Sequence, residues 1–361
     1  MFYSARLRLA RFRAGLTKSQ LAEAAGVSRV MIHKYETDQA EPKPENVAAL
    51  AECLNYPEQF FYGGTVDEPN LETASFRSMS HMLARSRDAA LAAGSLAFLL
   101  GDWVETLFDL PEPRLLDLGQ EQSPEHAARA LREFWGIGNR PIKNMVHLLE
   151  ANGIRVFSLV EETRSVDAFS LWRNQKPYVF LNTIKTPEHS RFDAAHELGH
   201  LILHKSGEIG SRRVEEEANK FASSFLMPSE DVLSALPCIY DIDQIKKAKF
   251  RWRVSAMALT YRLNRLECIS EWQYRQFCIQ LSQQGFRTSE PGGIEREQSV
   301  VWEKVFNGLR SERVTKNDIS SALNIPVREI EKLVFGLANM ISVDGGGNGS
   351  GTPKGNLTLV T

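Results

Sequence analysis

The sequence predicts a mainly helical α+β protein. It divides into an N-terminal helix-turn-helix bundle, a central metal-site domain with a small β-sheet, and a C-terminal helical unit. Three observations predict this. A basic N-terminal block has the caps and the turn glycine of helix, turn, helix. A short β-rich region precedes an apolar helix that carries His196-Glu197-Leu198-Gly199-His200. Helical pattern then returns after Pro237.

The elements follow in chain order. Thr17 and Gln20 form a T-x-x-Q capping box that opens one helix. Gly26 supplies the turn, and Ser28 caps the next helix. Leu21, Ala22, Ala25, Val27 and Ile32 have the spacing of a small core. Residues 1–36 hold seven Lys or Arg and two acids in a chain of net charge −2. The positive excess therefore marks one basic end, not a generally basic protein. Residues 4–62 resemble the Cro/repressor, or XRE, type of helix-turn-helix. That resemblance implies a double-stranded DNA operator read in the major groove by the second helix. Ser28, Arg29, Val30 and Lys34 would face bases or phosphates, and Lys18 the backbone or a base edge. Arg29 is the candidate for bidentate guanine contact. The competing reading is a solvated basic bundle used for protein contacts.

Gly63 to Pro69 reads as a linker. Residues 76–108 read as two helices, with Gly94, Ser95, Gly101 and Asp102 bracketing or breaking the apolar stretch. No 18-residue apolar run occurs, so no membrane partner is expected. Arg6, Arg8, Arg11 and Arg13 occupy the place of a signal-peptide core. The four cysteines lack C-x-x-C spacing and read as free thiols, which fits a reducing cytoplasm. Ser123-Pro124 starts a capped helix, and Pro141 to Glu150 reads as another. Ile154 to Val160 is β-rich, and Ala168 to Trp172 with Tyr178 to Asn182 form a hairpin. Tyr178 to Asn182 is expected to be an edge strand that pairs with extended substrate.

Thr186-Pro187 opens the helix that carries H-E-x-x-H. His196 and His200 are i and i+4, so both imidazoles leave one face. Two imidazoles and a carboxylate around an open position make a hydrolytic zinc site, with Glu197 placed to accept a proton. The bland reading is a chance pattern on a solvated helix. The apolar surroundings (Phe192, Ala194, Ala195, Leu198, Leu201) argue against it. Along Ser211 to Leu226, Glu215 shares a face with Ala218, Ala222 and Phe225, so it is the candidate third ligand. Glu216 and Glu217 read as solvated, and Asn219 as orienting a ligand imidazole. Tyr178, Tyr240 and His204 are candidate oxyanion donors, with His204 better read as a helix C-terminal imidazole.

HELGH-LILH followed by EEEANKFASSFLMP resembles the ImmA/IrrE zinc metallopeptidase domains over residues 120–290. The resemblance implies a zincin-like fold, Zn2+ on two histidines and a glutamate, and Glu197 as general base. It also implies cleavage of a repressor in a stress or mobile-element response.

Lys246, Lys247, Lys249, Arg251 and Arg253 interleave with Phe250 and Trp252. This run reads as nucleic-acid binding or, better, as a helix packed on the metal domain. Trp302 to Met340 is helical, and Thr315 to Leu333 reads as helix, turn, helix with a winged-helix-like module as one reading. Glu329 and Glu331 on its second helix favour a protein-contact or dimer role there.

The expected domains are 1–64 for DNA, 65–118 as a helical connector, 119–290 for the peptidase, 291–343 as a helical domain and 344–361 as a tail. The expected function is a DNA-binding transcriptional regulator that is also a zinc endopeptidase, held latent until needed. A protein substrate and a homodimer on paired operators belong to that reading. The alternative is a non-proteolytic transcription factor or antitoxin whose zincin-like domain senses or binds. Glu197 separates the two, because proteolysis needs it and sensing does not.

Overall fold

A computed structural model describes residues 1–69, 84–118, 123–160, 168–205 and 211–338. Among them are sixteen α-helices and three strands. Most of the first helix expected in 76–108 lies outside the described residues, and so does the glycine-serine stretch at 345–351.

Four helices build the N-terminal bundle: α1 (Ser4–Arg13), α2 (Lys18–Ala24), α3 (Arg29–Glu36) and α4 (Pro44–Leu54). The Thr17/Gln20 box closes reciprocally, and Ser28 accepts from the Met31 N–H. Leu7, Leu21, Ile32, Val47, Leu50 and Phe60 fill the core without exposure. A buried ion pair between Arg11 and Glu36 fixes α1 against α3.

The next described helix, α5 (Ala84–Glu105), runs unbroken through Gly94 and Gly101. The expected break does not occur, because Gly94 serves close packing. A Cβ there would lie 2.6 Å from the Pro69 ring. On one side Arg13 donates to the Ala89 carbonyl at 3.1 Å. On the other, Phe98 packs edge-on against Tyr178 at 5.0 Å. The helix thus joins the bundle to the sheet.

The sheet has the order β1 (Arg155–Ser158), β3 (Lys176–Leu181), β2 (Ala168–Arg173). Strand β1 is parallel to β3, and β2 is antiparallel to it. The hairpin turns at Asn174 and Gln175, both left-handed at φ 49 and 63, as a two-residue type I′ loop requires. Tyr178 to Asn182 is therefore no edge strand. β3 is hydrogen-bonded on both sides, so its backbone has nothing left for a substrate.

Helices α6 (Pro124–Phe134) and α7 (Met145–Ala151) precede the sheet in sequence. α7 starts later than expected because Asn144, not Pro141, supplies the cap, accepting from the His147 N–H at 2.8 Å. After the sheet come α8 (Pro187–Leu203) and α9 (Arg212–Leu226), which pack against each other. Four further helices follow: α10 (Ser229–Ala235), α11 (Ile242–Trp252), α12 (Ala256–Arg265) and α13 (Glu271–Gln283). In α11, Lys249 is buried 3.0 Å from Glu290, and the buried Trp252 donates to Asp231 at 2.8 Å. Lys249 and Trp252 of the basic-aromatic run thus pack inward, while Lys247, Phe250 and Arg251 are exposed.

The last unit is α14 (Val300–Ser311), α15 (Lys316–Leu323) and α16 (Val327–Val334). No strand accompanies these helices among the described residues. Trp302 donates to the Val156 carbonyl at 2.9 Å and packs on Phe157. Glu329 pairs with Arg13 at 2.7 Å, both side chains being 3% exposed. The acid on α16 thus contacts the N-terminal bundle of its own chain.

Candidate metal centre

The centre rests on α8 and α9. Thr186 caps α8 and Pro187 takes its first position, where no N–H is needed. Ser211 caps α9, accepting from the Val214 N–H. Gly199 lets the two helices meet. A Cβ there would stand 3.0 Å from the Phe221 ring and 3.3 Å from Ala218 Cα. The small faces formed by Gly199, Ala218 and Ala222 bring Glu215 level with the histidines.

Donor atoms of His196, His200 and Glu215 all lie within 4.8 Å of one another. The two imidazole Nε2 atoms are 3.0 Å apart. The Glu215 carboxylate stands 3.4 Å from His196 Nε2 and 3.6 Å from His200 Nε2. The two helices therefore present three donors to one point.

Hydrogen bonds behind the rings orient these donors. His196 Nδ1–H donates to Asn219 Oδ1 at 3.0 Å, leaving the Nε2 lone pair toward the centre. His204 donates from Nε2 to Glu217 at 2.9 Å. A neutral His204 can then only accept at Nδ1, which lies 3.3 Å from His200 Nδ1. His200 thus donates there and keeps its own Nε2 lone pair. Glu217 is accordingly not the solvated residue the helical wheel suggests. His204 curls back as the C-cap of α8 and pulls it inward. His204 and Glu217 belong to different helices, and no spacing along the chain pairs them.

Burial works against a charge on His196. The bond to Glu215 and the carboxylates of Glu197, Glu215 and Asp193 outweigh it and raise the ring above its ordinary value. Burial, then the His196 and His204 rings, hold His200 well below its own. The carboxylates thus favour positive charge at the centre, which a bound cation supplies in place of a proton on His196, while His200 is held neutral. The protein sets two donors and a carboxylate around a place that favours a cation.

Glu197 is buried beside this cluster. Its carboxylate accepts from Ser170 Oγ at 2.7 Å, and the same hydroxyl lies 3.2 Å from the Glu197 carbonyl. Ser170 is the residue that sequence reasoning missed; its only signal is a small polar position inside an apolar strand. Of the candidate oxyanion donors, Tyr178 is buried among Phe98, Phe157 and Phe180 and is not available. Tyr240 is 79% exposed before α11, and His204 is engaged as described. A groove of about 1020 Å³ opens beside Asn219, with Phe192, Met257, Tyr261 and Phe286 among its walls.

In the N-terminal bundle, Ser28, Arg29, Val30 and Lys34 are exposed at the start and along the outer face of α3. Lys18 lies 3.2 Å from Glu36 and 3.1 Å from His33 Nδ1, so part of its charge is already balanced.

Residues 149–264 match the family model described as IrrE N-terminal-like domain. Residues 7–61 match the family model described as Helix-turn-helix. No curated protein matches the chain. The first match contains His196, Glu197, His200, Glu215 and Asn219, and the second contains the exposed face of α3.

Proposed function

From a chain that joins an XRE-type helix-turn-helix to an IrrE/ImmA-like peptidase domain, we propose a DNA-binding regulator that is also a zinc-dependent endopeptidase. The observation that carries it is the convergence of His196, His200 and Glu215 within 4.8 Å, with Glu197 beside them. A helix-turn-helix gives the protein an address on DNA, which general digestion does not need. The proposed substrate is therefore another regulatory protein, such as a repressor.

The residues present fit Zn2+. Two neutral nitrogen donors and one carboxylate with their lone pairs aimed at one point are the donor set of a catalytic zinc site. His196, His200 and Glu215 would hold the ion, and Asn219 and His204 would orient the imidazoles. Bound zinc supplies Lewis acidity, polarising the scissile carbonyl and making water acidic near neutrality. Glu197 takes the proton from the attacking water and returns it to the leaving amine. Ser170 holds the Glu197 carboxylate in place for both transfers. The groove beside Asn219 seats the substrate chain, its apolar walls excluding water from the peptide.

On DNA, the exposed N-terminal half of α3 enters the major groove. Arg29 reads a base edge and Lys34 meets phosphate, with Ser28, Val30 and Lys18 flanking them. Residues 1–64 form the DNA-binding domain and 119–290 the peptidase domain, joined by 65–118. Residues 291–343 bind the two together through Trp302 and Glu329, and 344–361 lie outside the described residues.

The test compares the protein with Glu197→Gln. Zinc is quantified in both, and both are incubated with cell extract and followed by mass spectrometry. Equal zinc with new cleavage products only from the unsubstituted protein is the expected result. Products from both would refute the assignment of Glu197, and absence of zinc in both would remove the centre itself.

A further inference from the structure

Away from the metal centre, four arginines line one hollow of about 340 Å³. Arg129 and Arg132 come from α6, and Arg262 and Arg265 from α12. Two of them have structural partners. Arg132 donates to the carbonyls of Gly138, Phe225 and Arg140. Arg262 donates from Nε to the Met227 carbonyl at 3.0 Å. The bonds to Phe225 and Met227 satisfy carbonyls at the C-terminal end of α9, which lack intrahelical partners, and those to Gly138 and Arg140 hold the segment after α6.

That capping role does not account for the site. Every acceptor named is a neutral carbonyl, and the carboxylates of Asp231 and Glu125 act on Arg132 and Arg262 only at a distance. Among the described residues, none of the four arginines has a carboxylate within 4.0 Å. Arg129 and Arg265 are exposed and make no structural bond there. Burial lowers Arg132 to about 10 and lowers Arg262, yet both stay cationic at neutral pH. Glu125 and Glu230 also line the hollow, and Glu230 is engaged by Asn139. Among the described lining residues, four arginines face two glutamates, an excess of positive charge.

A second feature points to an occupant. Ser224 of α9 lines the hollow, is only 5% exposed, and its hydroxyl has no hydrogen-bond partner. Buried hydroxyls are normally satisfied. This one donates to nothing in the protein, although guanidinium groups line the same space.

We infer that the hollow binds a small phosphate-bearing anion, either inorganic phosphate or a phosphate monoester. A guanidinium fork matches phosphate oxygens two at a time. A tetrahedral group has a further oxygen left for the Ser224 hydroxyl, which a carboxylate lacks. The excess of arginines suits an anion. A hollow of about 340 Å³ is at the small end of ligand pockets, so the occupant is metabolite-sized and not a polymer. The site contains none of the metal-centre residues, although Arg265 also lines the groove beside Asn219. Ser224 lies nine residues beyond Glu215 on the same helix, roughly 13 Å along its axis.

The test uses the full chain at constant ionic strength, titrated calorimetrically with inorganic phosphate and, separately, with ribose 5-phosphate. Saturable binding at one site per chain is expected, and the tighter probe identifies the source. Arg129→Ala and Arg265→Ala, both at exposed positions, should each weaken binding at least tenfold. Ser224→Ala should weaken it several-fold. Lys247→Ala, exposed on α11, should leave it unchanged and controls for general charge. No saturable binding of either probe overturns the inference. So does binding that survives in the Arg129→Ala, Arg265→Ala double variant.

Discussion

Replacing His204 with Phe should weaken zinc binding without unfolding the peptidase domain. In the structure, the His204 ring lies between Glu217 at 2.9 Å and His200 Nδ1 at 3.3 Å. His200 is 6% exposed, so water cannot readily take over as acceptor. A phenyl ring fills the space but accepts nothing. His200 then has a buried Nδ1–H without an acceptor, and the tautomer with its proton on Nε2 becomes competitive. That tautomer cannot bind a metal. Loss of a group that orients a metal-bound imidazole typically costs 10- to 100-fold in metal affinity, about 1.4 to 2.7 kcal/mol. Glu217→Gln should cost less, because its amide oxygen still accepts from His204 Nε2–H. The assay is chelator competition at pH 7.5 on the protein and both variants, with circular dichroism to establish folding. A folded His204→Phe variant whose zinc affinity stays within threefold of the parent would refute the reasoning. A parent that binds no zinc would instead remove its premise.

Three further outcomes are expected. Burial pushes the Glu150 carboxyl up to about 7 from 4.5, against the opposing bonds from Ser299, Val300 and Val301. A raised acid favours the folded state while protonated, so this contribution is present at low pH and is lost as pH rises from about 4.5 to 7. At ~1.4 kcal/mol per unit the loss is about 3 kcal/mol. Denaturant titrations at pH 5 and pH 8 should show Glu150→Gln gaining on the parent at the higher pH; parallel curves would contradict this. Glu329→Ala leaves Arg13 buried without that carboxylate, which typically costs ~3–5 kcal/mol. Hydrogen exchange should then rise in both α1 and α16, whereas an unchanged pattern would show that the pair does not join the units. Arg29→Ala should lower affinity for a duplex selected from a random pool by about 1–3 kcal/mol and relax one base position, and Lys34→Ala should weaken all duplexes alike. Gel-shift titrations at two salt concentrations distinguish these two effects from no effect.

The local signals were legible because they rest on short-range chemistry. The Thr17/Gln20 box, the Ser28 cap and the Thr186-Pro187 helix start are each a matter of neighbouring N–H groups finding an oxygen. The i, i+4 spacing of His196 and His200 fixes one face within a single helix. The face of α9 likewise selects Glu215, since a ligand must point where the small residues point. Sheet order is different in kind. Tyr178 to Asn182 has the same alternation and apolar content whether it is central or at an edge. Its position depends on β1 lying beside it, across a sequence gap.

By itself, then, the sequence determined the helix-turn-helix, the two helices of the candidate metal centre and which donors they could offer. Each of these follows from periodicity and capping within one or two turns. Only the tertiary structure decided what surrounds them. It set Ser170 against Glu197, His204 between Glu217 and His200, and Glu329 against Arg13. Those contacts join residues on separate elements, brought together by packing such as the approach of α9 to Gly199. Spacing along the chain carries no record of that packing, because burying one helix against another fixes distances the backbone pattern leaves free.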